Sequence, residues 1–474
     1  MIYKNINILL FTIILSIFNN GYSQKKLNNN PFKRLLDEHN NYISKPSNNY
    51  ILNNSIKVDY YQNLYVNSNL PNFENLNGFY FPKGFGGYSG LLFQLKSKNL
   101  YFSVEPNLFL SKKYNISPPS KEGLFSVSND IELINNKHYK NIRNLGFAIN
   151  FNKYSIGYGN WNNWWGPAIH NSLLMSNNST GFFYYYFGSN GFNKLNSKIK
   201  YKFTYEFSDG INNSNGVDFF ITTMNGIVRY NKLEFGYSKQ VTSGGYNEHN
   251  WKLFNAAQVI ITNKNIKYWD YITDIYLQYS SNDNGLKIFI EHGYPNKTYT
   301  NIDPEIYSDN GRGSIIGLRK NGLFNHKEII FGFEYTRLLQ GIFYNMIPTP
   351  NWYDNIKYDY SSYSGRRWAS HSGPDSDDFL IFLGYINNQI GIIYGLNYER
   401  HGVTYHFPPE VKFENRISFN YKIKHLNLFI RYENEYFEHY GFVDSNINVW
   451  NETFELGSIQ RTKTLLFSIE YNIY

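Results

Sequence analysis

Segments in which apolar and polar side chains alternate recur through most of this chain, and this alternation limits its fold more than any other feature. In the last segment, residues 463–474, every second residue from Leu465 to Ile473 is apolar or aromatic, whereas Ser468 and Glu470 lie on the opposite face. A period of two is the pattern of a β-strand with two different faces. Short turns join many neighbouring segments, and no repeat of fixed period is visible. The sequence therefore predicts a large antiparallel β-protein.

Two architectures fit strands of this kind, a soluble sandwich and a transmembrane barrel with a polar lumen. Aromatic residues make up 19% of the chain and suit the belts where a membrane meets water. Short turns alternate with longer connections such as 240–266 and 339–377, as in outer-membrane barrels. We therefore predict an all-β fold, a large antiparallel transmembrane β-barrel of roughly 16–18 strands. Its last strand ends at Tyr474, an aromatic terminus that resembles the one read by the barrel assembly machinery.

The N-terminus has the features of a secretory signal peptide. Lys4 precedes a short apolar stretch, and small residues stand at 21 and 23. An uncleaved anchor is the alternative, but the stretch is short for a membrane-spanning helix. We expect a cleaved signal peptide over 1–23, a short N-terminal periplasmic segment over 24–58 and a barrel over 59–474 in the outer membrane of a Gram-negative bacterium. One face of a short helix in the periplasmic segment would carry Phe32, Leu35, Leu36 and His39.

Composition and spacing argue against several other kinds of site. The chain has no cysteine, which excludes disulfides, thiolate catalysis and thiolate metal ligands. The net charge of +8 is mild for 474 residues, and no block of like charges indicates nucleic-acid binding. Ser370, His371 and Asp375 are neighbours in sequence, which says little about a catalytic triad. The acidic run from Asp375 to Asp378 lacks the glycine and glutamate of an EF-hand, so an acidic turn is favoured over a calcium site. We predict no enzymatic activity, no metal and no cofactor.

The stretch 160–179 (NWNNWWGPAIHNSLLMSNNS) has neither strand nor helix periodicity. Together with the strand before it, it resembles the signature region of the capsule assembly Wzi family of bacterial outer-membrane proteins, in which Trp-Trp-Gly-Pro, Asn-Ser-Leu-Leu and Ser-Asn-Asn follow one another. Residues 371–385 and 286–295 look like later segments of that family. The resemblance implies a non-catalytic lectin that binds and anchors capsular or other surface polysaccharide. A porin-like passive channel or transporter is the alternative.

Sugar binding requires flat aromatic faces flanked by groups that hydrogen-bond to hydroxyls. The long polar connection before the strand near 379 has this composition, and its position predicts an outer loop. The candidate polysaccharide-binding residues in it are Arg366, Arg367, Trp368, His371, Asp375 and Asp377. For the family motif, packing inside the barrel is favoured over sugar contact. The motif residues are Trp164, Trp165, Gly166, Pro167, Asn171, Ser172, Ser176, Asn177 and Asn178.

Overall fold

The computed structural model describes residues 31–43, 55–72, 74–97, 99–110, 138–212, 216–244, 270–295, 312–324, 326–338, 352–353, 361–363, 366–403, 408–440, 449–450, 455–456 and 459–473. The expected signal peptide, 1–23, and Tyr474 lie outside the described residues. Within these ranges, no helix is long and apolar enough to span a membrane.

The described strands form one closed antiparallel barrel of 18 strands, each paired with its neighbours in the chain. They are β1 (Ser55–Asn67), β2 (Gly84–Lys96), β3 (Leu100–Leu110), β4 (His138–Phe151), β5 (Tyr154–Gly159), β6 (Tyr184–Ser189), β7 (Ile199–Ser208), β8 (Asp218–Tyr230), β9 (Leu233–Gly244), β10 (Asp270–Ser281), β11 (Leu286–Pro295), β12 (Gly313–Leu323), β13 (His326–Arg337), β14 (Ser376–Ile386), β15 (Ile390–His401), β16 (Glu410–Ile423), β17 (Leu426–Glu438) and β18 (Gln460–Asn472). Two-residue strands lie at Asn193–Lys194, Ile211–Asn212, Ser362–Tyr363, Arg366–Arg367, Val449–Trp450 and Glu455–Leu456.

Pairing of the last strand with the first closes the sheet. The register of β18 on β1 runs from Asn472 opposite Asp59 to Thr464 opposite Asn67. A closed sheet has no unpaired edge, so its backbone groups are satisfied inside a membrane. The predicted barrel is therefore confirmed. Its first strand begins at Ser55, slightly before the expected boundary at 59.

The alternation in β18 sets the two faces of the barrel wall as predicted. Leu465 and Tyr471 are 47% and 46% exposed, whereas Leu466 and Ser468 are buried. The exposed face is apolar and points outward, as contact with lipid requires, and the other face lines the lumen. Other strands follow the same rule. Their outward apolar residues include Leu277, Ile288, Ile290, Ile316, Leu383 and Ile417.

The two ends of the barrel differ in their connections. At one end, called here the short-turn end, turns of two to four residues join β4 to β5, β8 to β9, β10 to β11, β14 to β15 and β16 to β17. Asn152, Asn231 and Lys424 adopt left-handed φ angles of 57°, 52° and 48° in such turns, as tight hairpins require. The other end, called the long-loop end, carries the long connections. In outer-membrane barrels the short turns face the periplasm and the long loops face the exterior.

The helix α1 (Pro31–Ile43) lies inside the lumen near the short-turn end. Its buried Phe32 and Leu35 pack in one cluster with Phe382 and Phe429 of the lumen wall. The rings of Phe32 and Phe429 have centroids 5.2 Å apart. The apolar face that the sequence predicts for this helix is thus the face that packs against the barrel.

Partly buried ion pairs fix the other side of α1. The Glu38 carboxylate accepts hydrogen bonds from Arg319 Nε at 2.9 Å, Arg319 Nη2 at 3.0 Å and Lys287 Nζ at 2.6 Å. Burial by itself would raise the pKa of Glu38, but the positive charges of Arg319 and Lys287 outweigh burial and lower the pKa to about 2. The helix is therefore attached to β11 and β12 by charge as well as by apolar contact.

Replacing Glu38 with glutamine is expected to destabilise the protein at neutral pH and to have no effect in strong acid. Because the folded-state pKa is lowered, the stabilisation is full above the unfolded value of about 4.3 and is lost as pH falls through about 2. Melting temperatures of both proteins in detergent across this range measure the effect. Asp37→Asn, on the exposed side of the same helix, is the control. A difference from wild type that stays constant down to pH ~2 would contradict the assignment.

Candidate functional site

The connection between β5 and β6, residues 160–183, folds into the lumen and is called here the plug segment. From Trp164 to Ser179, all of its residues except Gly166 are buried. Leu173, Leu174 and their apolar neighbours pack in one cluster with inward side chains of β10, β11 and β12. The barrel interior is therefore filled by this segment at the level where it folds inward.

The Trp-Trp-Gly-Pro residues form the first bend of the plug segment. Trp164 Nε1 donates to Ala168 O at 2.7 Å, and the Arg34 guanidinium of α1 lies 4.5 Å from the centroid of the Trp164 ring. Gly166 has φ +87°, and a Cβ at this position would press against the Glu291 carboxylate. Glycine adopts this backbone conformation readily, whereas other residues are strained there. These residues hold the segment against the wall and the helix.

The amide and hydroxyl residues of the motif tie the plug segment to its surroundings. Asn171 Nδ2 donates to Asp378 Oδ2 at 2.6 Å, and Asn178 Nδ2 donates to Arg367 O at 3.1 Å. Further contacts of the motif include Pro167 O with Arg319 Nη2 (2.8 Å), Ser172 Oγ with Trp165 O (2.7 Å), Trp165 N with Met175 O (3.1 Å), Ser176 N with Trp368 O (2.7 Å) and Asn177 Nδ2 with Asn75 O (3.0 Å). The position of these side chains supports packing inside the barrel over direct sugar contact.

Glu334 of β13 anchors the plug segment to the wall. Its carboxylate accepts hydrogen bonds from the backbone nitrogens of Ile169 (2.8 and 3.0 Å) and His170 (2.8 Å). It also accepts a hydrogen bond from Arg319 Nη1 at 2.9 Å, and both partners of this ion pair are nearly inaccessible to solvent. A buried carboxylate with four acceptor contacts explains why the segment takes one position.

The candidate polysaccharide-binding residues before β14 and at its start also lie within the barrel. The segment begins at the long-loop end, as expected of an outer loop, but it folds inward, so that Arg366, Arg367 and Trp368 are each at most 2% exposed. The Arg367 guanidinium lies 5.1 Å from the centroid of the Tyr353 ring. The Trp368 ring packs 6.1 Å from Phe182 of the plug segment, centroid to centroid. A glycan outside the barrel does not meet these side chains in this arrangement.

The remaining candidates, Asp375, Asp377 and His371, have different partners. Asp375 lies in a turn with φ 50°, and Asp377 pairs with Arg400, from which Nε donates at 2.9 Å. His371 Nε2 lies 3.3 Å from Asp378 Oδ2 and 3.7 Å from Glu399 Oε1. Burial lowers the pKa of His371, but the adjacent carboxylates of Asp378 and Glu399 outweigh burial and raise the pKa to about 10. The three aspartates at 375, 377 and 378 therefore do not share one ion, and the acidic turn remains the better interpretation.

A buried charge network lies on the lumen face of β15–β17, and the sequence analysis did not single out its central residue. Its centre is Lys412, whose Nζ lies 3.1 Å from Glu399 Oε1, 3.2 Å from Glu414 Oε2 and 3.5 Å from Glu435 Oε1. Lys412 also pairs with Glu74 from the connection between β1 and β2. The available signal was the alternation of charges along β16, where residues 410, 412, 414 and 416 are all ionisable. Residues two apart share one face of a strand, which here is the lumen.

Comparison with known proteins supports the fold. No protein-family model and no curated protein sequence matches the chain. Among solved structures, Wzi of Escherichia coli, an outer-membrane protein involved in group 1 capsule assembly and a carbohydrate-binding β-barrel, aligns with a TM-score of 0.59. The identity is 13%, over 87% of this chain and 84% of that chain.

Outer-membrane barrels of other kinds also align, at lower scores. OccAB2 of Acinetobacter baumannii gives a TM-score of 0.49 with 9% identity, over 89% of this chain and 98% of that chain. OccK2 of Pseudomonas aeruginosa gives a TM-score of 0.46 with 7% identity, over 88% and 98%. At these identities the similarity concerns the fold alone. The chain is an outer-membrane-type β-barrel whose lumen holds a helix and inward-folded connections, among the described residues those before β2, β6 and β14.

Proposed function

We propose that this protein is a non-catalytic outer-membrane barrel of the capsule assembly Wzi type, which binds capsular or other surface polysaccharide at its long-loop end. The observation that carries the proposal is the filled lumen. From Trp164 to Ser179 the plug segment is almost entirely buried inside the barrel, and Glu334 holds it there. A passive channel needs an open path, and this segment takes up that space.

Two further observations support polysaccharide binding over transport. The residues that resemble the Wzi signature are those that build the plug segment. The solved structure with a TM-score of 0.59 is described as a carbohydrate-binding β-barrel. The exterior of an outer-membrane barrel is the side on which a cell holds its polysaccharide, and long loops face that side. Partners of the protein would then be surface glycan and outer-membrane lipid, with the barrel assembly machinery acting on its last strand.

The buried candidates would act on binding indirectly. They lie buried beneath the long-loop end and are Arg366, Arg367, Trp368, His371, Asp375 and Asp377. Of this segment's charged contacts, the Asp377–Arg400 pair is the most accessible, with the Arg400 side chain 38% exposed. We expect these residues to position glycan-contacting groups, with direct contact limited to the Arg400 region.

A glycan-binding assay tests this proposal. Refolded protein in detergent is titrated with surface polysaccharide purified from the source bacterium, and saturable binding is expected. A Trp368→Ala/His371→Ala variant should lose at least about tenfold in affinity, or ~1.4 kcal/mol, because it loses the buried packing that positions the long-loop end. Asp283→Ala, at the short-turn end, is the control and should bind like wild type. Absence of wild-type binding, together with ion conductance in a planar bilayer, would favour the channel.

A further inference from the structure

Four ionisable side chains from four separate segments meet inside the lumen. They are His170 from the plug segment, His371 from the connection before β14, Asp378 from β14 and Glu399 from β15. One ligand atom from each lies within 4.8 Å of the others, and all four side chains are at most 5% exposed. The rings of the two histidines meet edge to face, with centroids 4.5 Å apart.

Three of the six distances between these ligand atoms are close to the edge length of a tetrahedral metal site, and all six are within 4.8 Å. Asp378 Oδ2 lies 3.2 Å from His170 Nε2 and 3.3 Å from His371 Nε2, and Glu399 Oε1 lies 3.7 Å from His371 Nε2. A tetrahedral ion with bonds of about 2.0–2.2 Å separates its ligand atoms by about 3.3–3.6 Å. Hydrogen bonds between charged groups are shorter, at about 2.7–2.9 Å. The spacing therefore suits a shared cation better than direct contact.

The charge balance of the surrounding network points the same way. Three permanent cations, Lys412, Arg416 and Arg431, and three histidines, His170, His371 and His401, belong to the connected ion pairs. The carboxylates in these pairs number seven: Glu74, Asp378, Glu399, Glu410, Glu414, Glu433 and Glu435. Among the ion pairs of the described residues, carboxylates therefore outnumber the permanent cations. Buried carboxylates require compensating charge, and a bound divalent cation would supply part of it.

Neighbouring side chains contact the proposed ligand residues, and a bound ion would replace some of these contacts. Asn75 Nδ2 donates to His371 Nδ1 at 3.2 Å, so Nδ1 is the acceptor and the Nε2 atom of that ring faces the carboxylates. A bound cation would take the place of the proton on Nε2. Asn397 Nδ2 lies 3.1 Å from His170 Nε2, and a bound cation would replace this contact. Lys412 Nζ lies 3.1 Å from Glu399 Oε1, so a bound cation would share that carboxylate with the ammonium. The acidic group of Glu74, Glu414 and Glu435 surrounds the same ammonium, and no second ion is assigned there.

We propose that His170, His371, Asp378 and Glu399 bind one divalent transition-metal cation, of which Zn²⁺ fits best. Two imidazoles and two carboxylates form a four-coordinate set that suits Zn²⁺, whereas Ca²⁺ and Mg²⁺ require six or more oxygen ligands. Four protein ligands with no open position make a structural site. The ion joins the plug segment and the connection before β14 to two wall strands, so it locks the lumen closed. This proposal does not depend on glycan binding.

Metal binding to the whole protein tests the site directly. Protein with a histidine-free affinity tag is treated with chelator in detergent and titrated with Zn²⁺ by calorimetry, and bound zinc is counted by mass spectrometry. One ion per chain is expected. His371→Ala and Glu399→Gln should each weaken binding by ~100-fold or more, because each removes a ligand. His292→Ala, on β11 and outside the cluster, should bind like wild type.

A second measurement separates a lost ligand from a misfolded barrel. Each variant is first checked for the heat-dependent shift in gel mobility of a folded barrel, and only folded protein is titrated. Co²⁺ bound to the wild type should show the intense visible absorption of tetrahedral coordination, and folded Glu399→Gln should lose that absorption. The proposal is overturned if wild-type protein binds no Zn²⁺ or if folded His371→Ala binds it with unchanged affinity.

Discussion

Replacing Glu334 with alanine is expected to lower the free energy of unfolding by about 3–5 kcal/mol, the cost of removing one partner of a buried ion pair. The substitution leaves Glu38 as the only carboxylate paired with Arg319 among the described residues and leaves the backbone nitrogens of Ile169 and His170 without their acceptor. Unpaired buried donors cost free energy because water cannot replace the lost partner. The plug segment should therefore loosen before the barrel wall unfolds.

Thermal and urea unfolding followed by tryptophan fluorescence measure this effect, since Trp161, Trp164 and Trp165 all lie in the plug segment. Glu334→Gln should show a smaller loss, because one oxygen can still accept a hydrogen bond from the plug segment. Asp283→Ala, whose carboxylate is 84% exposed and 3.5 Å from Lys232, serves as the control and should melt like wild type. Equal melting of Glu334→Ala and wild type would show that the plug segment does not depend on this carboxylate.

Removing the plug segment is expected to convert a non-conducting barrel into a conducting one. Barrels of 16–18 strands enclose an aqueous channel unless something fills them. Gly159 of β5 and Tyr184 of β6 are directly opposite in the sheet, so a short Gly-Ser turn can replace residues 160–183 without changing the register. Wild-type protein in a planar bilayer should show no sustained current, and the shortened variant should show open-pore conductance.

Because α1 also lies in the lumen, a second variant that lacks both α1 and the plug segment should conduct more than the first. The control replaces the turn 387–389 between β14 and β15 with a turn of equal length and should stay silent. Sustained conductance by the wild type would mean that the described segments do not seal the lumen, and the channel interpretation would then replace the polysaccharide-binding one.

Local patterns in the chain are enough to predict the barrel wall. Alternation with a period of two depends on side-chain direction in a strand, which is a property of the backbone itself. The outward Leu465 and the inward Ser468 therefore follow from sequence alone, as do the tight turn at Asn231 and the apolar face of α1. The plug motif was recognisable as neither strand nor helix, and packing inside the barrel was its favoured interpretation.

The inward fold of the connection before β14 could not be predicted in this way. Arg366, Arg367 and Trp368 have the composition of an exposed polar loop, and only the tertiary structure shows that they are buried against Tyr353 and the plug segment. A polar side chain can be buried wherever partners exist, and those partners come from distant parts of the chain.

The sequence by itself determined the strand alternation, the approximate strand number and the unusual character of the stretch at 160–179, because each depends on neighbouring residues. Only the tertiary structure decided what fills the lumen and which charges meet there. His170 lies far before His371, Asp378 and Glu399 in the sequence. The latter three are closer together, but they come from a connection and from two different strands. Their convergence follows from closure of the barrel and the inward fold of two connections, which no local pattern encodes.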